Sequence, residues 1–172
     1  MPSTTTADRT QPSAESATHG ELLDAYRLML TSRRMDEKQL ILLKQGKSFF
    51  HIGGSGHEAA QIAMASALEP GRDWAFPYYR DIAFVLRFGM SIRDIFLAAL
   101  HRGEDPSTGA RQMPGHWGGK QLHIVTQSSP TGTQYLQAVG VALAAKKEGR
   151  GSPSPSVRAR STAFWAARYV AR

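Results

Sequence analysis

The chain contains no cysteine, which excludes a disulfide scaffold and a thiol nucleophile. It lacks any apolar run near the roughly 18 residues of a membrane span, so no membrane partner is expected. Residues 1–17 are rich in Thr, Ser, Pro and Ala and have no apolar core of the kind a secretory signal needs; they read as a disordered leader, and a cytoplasmic location follows as the default. Acidic residues are missing after Glu148, whereas Arg150, Arg158, Arg160, Arg168 and Arg172 follow it. Much of the net charge of +7 therefore sits at one end. A basic tail can meet nucleic acid, but no nucleic-acid module accompanies it, and no nucleic-acid partner is expected.

Within 172 residues there is room for one domain with a real core. Thr18-His19-Gly20-Glu21 fits a capping box, and Leu22, Leu23, Tyr26, Met29 and Leu30 follow at helical spacing. Leu40, Ile41 and Leu43 carry that helix to Gln45, with Gly46 as its stop. The charged band Arg33-Arg34-Met35-Asp36-Glu37 lies in mid-helix and reads as a solvated face. Gly46-Lys47-Ser48 does not belong to a P-loop, because Ile41 occupies the position that needs the first glycine. Gly54, Gly56 and Ala59 match the dinucleotide fingerprint with alanine last, yet the candidate acid, Asp73, precedes its apolar run instead of ending it. The simpler reading has Ser55 capping a helix over 59–68. His51, just before this turn, is either a satisfied loop histidine or a donor facing a ligand.

Phe76-Pro77-Tyr78-Tyr79-Arg80-Asp81 ends a short strand and begins a helix over 82–88. Arginine beside two tyrosines there suits an anionic ligand, since the guanidinium forks onto phosphate; the alternative is an Arg–Asp surface pair. Ser91 caps a further helix through Leu100. A polar loop follows over 104–119 and contains Arg111-Gln112-Met113-Pro114-Gly115-His116-Trp117-Gly118. The run Ser128-Ser129-Pro130-Thr131-Gly132-Thr133-Gln134 then precedes a small-residue helix over 138–147. Its hydroxyls, carbonyls and helix-start amides can hold a cation by its oxygens or a heterocycle by its edges; the bland alternative is an N-cap loop with Thr133 as cap.

FPYYRD, RQMPGHWG and SSPTGTQ occur here in that order, and on these three motifs the chain resembles the α subunits of thiamine-diphosphate-dependent 2-oxo acid dehydrogenases. These are the first components of the pyruvate and branched-chain complexes, with acetoin dehydrogenase close by. The resemblance runs from about Leu22 to Arg150. It implies an α/β fold, a parallel sheet flanked by helices, with an incomplete thiamine-diphosphate-binding domain over 18–150. It implies oxidative decarboxylation of a 2-oxo acid with acyl transfer to lipoyl groups. The implied partners are a β subunit, in a heterotetramer of two α and two β chains, and a lipoyl-bearing acyltransferase core. Tyr79 and Arg80 match residues that bind the cofactor's diphosphate end, and Ser129, Pro130 and Thr131 match those that meet its aminopyrimidine. Ser128, Pro130, Thr133 and Gln134 match ligands of a monovalent cation such as K+. His51 matches a histidine of pyruvate-type members and is the implied catalytic residue. Thr131 departs from the leucine or isoleucine common at its position.

Beyond residue 150 the resemblance stops. Where the family continues with an apolar strand and an acidic motif for Mg2+, residues 151–172 read as a Ser-Pro run and a basic helix. Two prolines there bar a central strand, and no carboxylate is present for magnesium. These features carry the expectation of a shortened or frame-shifted copy with an aberrant tail, a chain that does not turn over and keeps only partner binding as the alternative function.

Overall fold

The computed structural model describes residues 17–127 and 129–147. The expected leader, except for its last residue, and the expected tail lie outside the described residues, as does Ser128. Five helices are described: α1 (His19–Lys44), α2 (Glu58–Ser66), α3 (Ile82–Arg87), α4 (Ile92–Ala99) and α5 (Thr133–Lys147).

α1 begins where the capping box predicts. The Thr18 hydroxyl accepts from the Glu21 amide, and the Glu21 carboxylate accepts from the Thr18 amide at 2.8 Å. Its burial pattern inverts the expectation. Leu22, Tyr26, Leu30 and Ile41 are exposed, whereas Ser32, Met35, Asp36 and Gln39 are buried. The mid-helix band is thus where α1 meets the rest of the chain, with only Arg34 and Glu37 forming a solvated pair. The reason is tertiary: Arg33 reaches Glu58 on α2, and Asp36 receives the turn that leads into α2.

α3 is short and buried on every side. Ile82, Ala83, Phe84 and Val85 are all buried, the mark of a helix enclosed by others. α2 packs against it and α1 lies on both. Around it gather Met35, Ala65, Phe88, Met90, Ile95, Trp117 and Ile124, with Phe84 and Phe88 stacked at 5.3 Å between centroids. The hydroxyl of Ser91 caps α4 by accepting from the Asp94 amide at 3.1 Å.

The described residues contain no strand. The expected sheet is represented by two single bridges, Ala75 with Ile124 in parallel and Gly119 with Ile124 antiparallel. Ala75 donates to the His123 carbonyl and accepts from the Val125 amide, each at 3.0 Å. The apolar runs here are two or three residues long, and Pro77 has no N–H with which to extend the ladder. Two helix starts also differ from expectation. His57, not Ser55, sits at the α2 N-cap and makes no side-chain cap bond. Ser55 instead donates its hydroxyl to Asp36, a charge-assisted bond stronger than a neutral cap. Thr133 is the first residue of α5, not its cap.

Candidate functional site

The Tyr78-Tyr79-Arg80 segment is held from three directions. The Trp117 indole N–H donates to the Tyr78 carbonyl at 3.1 Å. Gly115, at φ +90°, lies so close that a Cβ there would stand 2.8 Å from the Tyr79 carbonyl oxygen, so this position requires glycine on both counts. Arg80 donates from Nη1 to the Gly53 carbonyl at 2.9 Å, with its guanidinium carbon 5.5 Å from the centre of the Tyr79 ring. No carboxylate among the described residues pairs with Arg80. The result is a half-buried cation, anchored by one N–H and flanked by two phenols.

Beneath it lies a buried polar layer. Gln61 is 2% exposed. Its amide nitrogen donates to the Arg80 carbonyl at 3.2 Å and to Asp81 Oδ1 at 3.1 Å. Its oxygen accepts from the Ala83 and Phe84 amides at 3.0 and 3.3 Å, meeting the otherwise orphaned donors at the start of α3. Asp81 Oδ2 accepts from the Tyr78 amide at 2.8 Å. Burial pushes the Asp81 carboxyl up to about 7, against the opposing pull of the Tyr78 N–H.

The glycine turn forms a second cluster. His51 Nε2 lies 2.8 Å from Asp36 Oδ1, and both side chains are 9% exposed. Burial alone would raise the Asp36 carboxyl, but His51 and Ser55 together outweigh it and hold it below its ordinary value. Glu58 behaves alike: burial raises it, and the Arg33 side chain at 2.6 Å with the Gly56 amide brings it below. Asp36 rests against Gly53, whose carbonyl holds Arg80.

The serine-proline turn meets the tyrosines. The Tyr78 hydroxyl contacts that of Tyr79 and lies 3.1 Å from Thr131 Oγ1. Burial, first among its influences, keeps the Tyr78 phenol above its usual value and hence neutral. Gly132 adopts φ +91°, Thr133 Oγ1 donates to the Pro130 carbonyl at 3.1 Å, and Gln134 is buried. His116 lies 2.9 Å from Ser129 Oγ.

The model of the dehydrogenase E1 component family matches residues 26–155. The chain belongs to the dehydrogenase E1 component family. It is similar to the 2-oxoisovalerate dehydrogenase subunit alpha of Bacillus subtilis, 47% identical over 131 residues, covering 76% of this chain and 40% of that protein. The mitochondrial 2-oxoisovalerate dehydrogenase subunit alpha of Mus musculus is 38% identical over 128 residues, 74% of this chain and 28% of that protein. The pyruvate dehydrogenase E1 component subunit alpha of Staphylococcus aureus is 32% identical over 137 residues, 77% and 33% respectively. The chain thus spans about two fifths of the Bacillus relative and less of the others. No helix among the described residues is long and apolar enough to cross a membrane.

In this E1 component chain, Tyr79, Arg80 and Thr131 come together through Tyr78, and Ser129 lies beside His116. His51 lies against Asp36, two residues before the carbonyl that holds Arg80. Of the cation set, Pro130 and Thr133 are adjacent and Gln134 is buried next to them, while Ser128 lies outside the described residues. Sequence reading missed Gln61 and Asp36. Their only local signal was a glutamine and an aspartate on faces otherwise assigned to packing or solvent.

The buried Asp81 carboxyl gives a pH prediction. Its folded value lies above the ordinary carboxylate range, so the native state holds the proton more tightly than the unfolded chain. Its contribution to stability is present at low pH and is lost as pH rises through about 7. Asp36 and Glu58, both lowered, act in the opposite sense, and their contributions are lost only as pH falls below the ordinary carboxylate range. The urea midpoint should therefore fall between pH 5 and about 8, and Asp81→Asn should flatten that slope even if it shifts the midpoint itself. An equal slope in the variant would contradict the assignment.

Proposed function

We propose that this chain is an α-subunit segment of a 2-oxo acid dehydrogenase, with Tyr79 and Arg80 holding the diphosphate of thiamine diphosphate. The observation that carries the reading is Arg80: a guanidinium fixed by the Gly53 carbonyl, with no carboxylate partner among the described residues, beside two phenols. Such a fork suits a diphosphate oxygen pair. Ser129, Pro130 and Thr131 would meet the aminopyrimidine, and the Tyr78–Thr131 contact supports this by joining the two halves of the site. Thiamine diphosphate, when bound, supplies the nucleophilic carbon and the electron sink for decarboxylation.

The chain's own residues bind and orient. Arg80 offers charge to the diphosphate, and the Tyr79 hydroxyl, which accepts from that of Tyr78, keeps its own hydrogen to offer. Asp36 fixes the His51 ring, and His51 is the candidate proton donor toward the reacting end. The Pro130 carbonyl, the Thr133 hydroxyl and Gln134 are oxygen donors close together, fitting a monovalent cation such as K+. Mg2+ would be held by residues that have no counterpart among those described. The Ala75–Ile124 bridge is parallel and supports a parallel sheet in the complete fold. A β subunit and a lipoyl-bearing acyltransferase core are the partners of this reading; Leu136, Val139 and Leu143 are exposed on α5, in keeping with a covered surface.

The test places residues 19–147 into the Bacillus subtilis relative in exchange for its matching segment. The chimera is assembled with a matched β subunit, thiamine diphosphate, magnesium and 2-oxoisovalerate, and an artificial electron acceptor reports turnover. Cofactor-dependent turnover is expected, and preference for 2-oxoisovalerate over pyruvate would assign the branched-chain class. A folded assembly with no turnover on either acid would overturn the reading.

A further inference from the structure

Asp81 stands at the N-cap of α3, where a carboxylate ordinarily accepts from the first amides of the helix, yet it makes no side-chain cap bond. Gln61 takes that place, its Oε1 accepting from the Ala83 and Phe84 amides. The Asp81 carboxyl serves the Tyr78–Arg80 segment instead. Its Oδ1 accepts from Gln61 Nε2 at 3.1 Å and its Oδ2 from the Tyr78 amide at 2.8 Å. The same Gln61 nitrogen donates to the Arg80 carbonyl at 3.2 Å. A carboxyl only 4% exposed is thus built into the support of the residue that carries the guanidinium.

Both of its donors are neutral amides, and no ion pair among the described residues includes it. The charged groups on the elements packed around it have other partners. Glu58, at the start of α2, accepts from Arg33 of α1. Asp36 of α1 lies against His51 and Ser55. Arg87 of α3 donates to Ser66, and Arg80 donates to the Gly53 carbonyl. His57 stands at the N-cap of α2, and the Tyr78 and Tyr79 phenols meet each other. An ionised Asp81 is therefore a charge with no paired cation, in a medium that screens it poorly. Each carboxyl oxygen has two lone pairs and uses one here, so the group can take a proton without giving up either bond.

We propose that Asp81 links diphosphate binding at Arg80 to the uptake of one proton, so that the site holds the anion most tightly when this carboxyl is neutral. This rests on the reading of Arg80 as a diphosphate ligand and adds the regulation of that site. The diphosphate is a polyanion, and an ionised carboxylate beside Arg80 both repels it and offsets part of the guanidinium's field. A proton taken from solvent removes that opposition. Carboxylate, proton and ligand become carboxylic acid and bound ligand. By linkage, a ligand that prefers the protonated form also tightens that form's hold on the proton. Burial already holds the free carboxyl at about 7, so affinity should fall as pH rises through about 7.

Two measurements test it. Carbon-13 NMR of the full chain, labelled at the aspartate carboxyls and assigned with Asp81→Asn, follows the Asp81 titration with no cofactor present. Its midpoint should lie at about 7 and move upward when inorganic diphosphate binds. A midpoint in the ordinary carboxylate range, or one that bound diphosphate leaves in place, would overturn the proposal. The second measurement compares the dissociation constant of thiamine diphosphate with magnesium at about pH 6 and about pH 8, in the assembly with a β subunit. The ligand's own last proton titrates near this range, but it is common to wild type and Asp81→Asn and cancels between them. Wild-type affinity should fall about fivefold more over the interval than that of Asp81→Asn. Calorimetry on the wild type at about pH 8, in two buffers of different ionisation enthalpy, should show proton uptake on binding, a readout that does not depend on how the variant folds. Absence of uptake, or equal pH dependence in both proteins, would overturn the proposal and leave the reading of Arg80 standing. Failure of thiamine diphosphate and inorganic diphosphate to bind at any pH would strike that reading and the proposal with it.

Discussion

Gln61→Leu is expected to lower the stability of the chain by about 4 kcal/mol, the largest loss from any single side chain described above. The substitution keeps the volume and apolar contacts of α2 but removes four hydrogen bonds at once. The Ala83 and Phe84 amides lose their acceptor, and the Arg80 carbonyl and Asp81 Oδ1 lose their donor. Each buried group left unpaired costs about 1–3 kcal/mol, partly offset by the hydrophobicity of leucine. The effect should also reach the site, because the Arg80 backbone loses one of its restraints. Chemical denaturation read by Trp fluorescence gives the first number. A loss under about 1 kcal/mol would mean that water or a rotated neighbour replaces the glutamine without difficulty.

Gly54→Ala is expected to have the second-largest effect, and to act on the site more than on the core. A Cβ at Gly54 would collide with the Arg80 carbonyl oxygen. That oxygen is backbone and is already pinned by Gln61, so it cannot swing aside as a side-chain tip would. The chain must either push the glycine turn away from Arg80 or displace Arg80 itself, and each outcome breaks the neighbouring bond from Arg80 Nη1 to the Gly53 carbonyl. A loss of about 2 kcal/mol in stability is expected, in the range of overpacking. A fall in cofactor affinity of tenfold or more should accompany it. Wild-type affinity in a folded Gly54→Ala protein would show that the 53–54 turn does not set the position of the guanidinium.

These two residues also show where sequence reading succeeds and where it stops. The Thr18–Glu21 box and the Ser91 cap were legible because donor and acceptor lie three residues apart, and the local chain alone can close them. The family was legible through the motifs FPYYRD, RQMPGHWG and SSPTGTQ. Gln61 was not, since its partners lie 19 to 23 residues away and nothing local marks them. The same holds for Asp36, which sits in a charged band that periodicity assigns to solvent. Tertiary partners reversed that assignment: Arg33, Asp36 and their contacts turn the polar middle of α1 inward, and Leu22, Tyr26 and Leu30 remain outside. Ser55 was misread for a related reason. Its spacing to Glu58 fits a cap, but a buried carboxylate 19 residues earlier is the stronger acceptor. The short strand expected before Pro77 is present among the described residues as a single parallel bridge, Ala75 with Ile124.

Whether Arg80 holds a diphosphate is decided by titrating thiamine diphosphate with magnesium into the α/β assembly carrying Arg80 or Arg80→Lys. Lysine keeps the charge but loses the planar fork and the N–H that the Gly53 carbonyl accepts. A dissociation constant raised about tenfold, or about 1.4 kcal/mol, is expected in the lysine variant. An unchanged constant in a correctly assembled protein would contradict it.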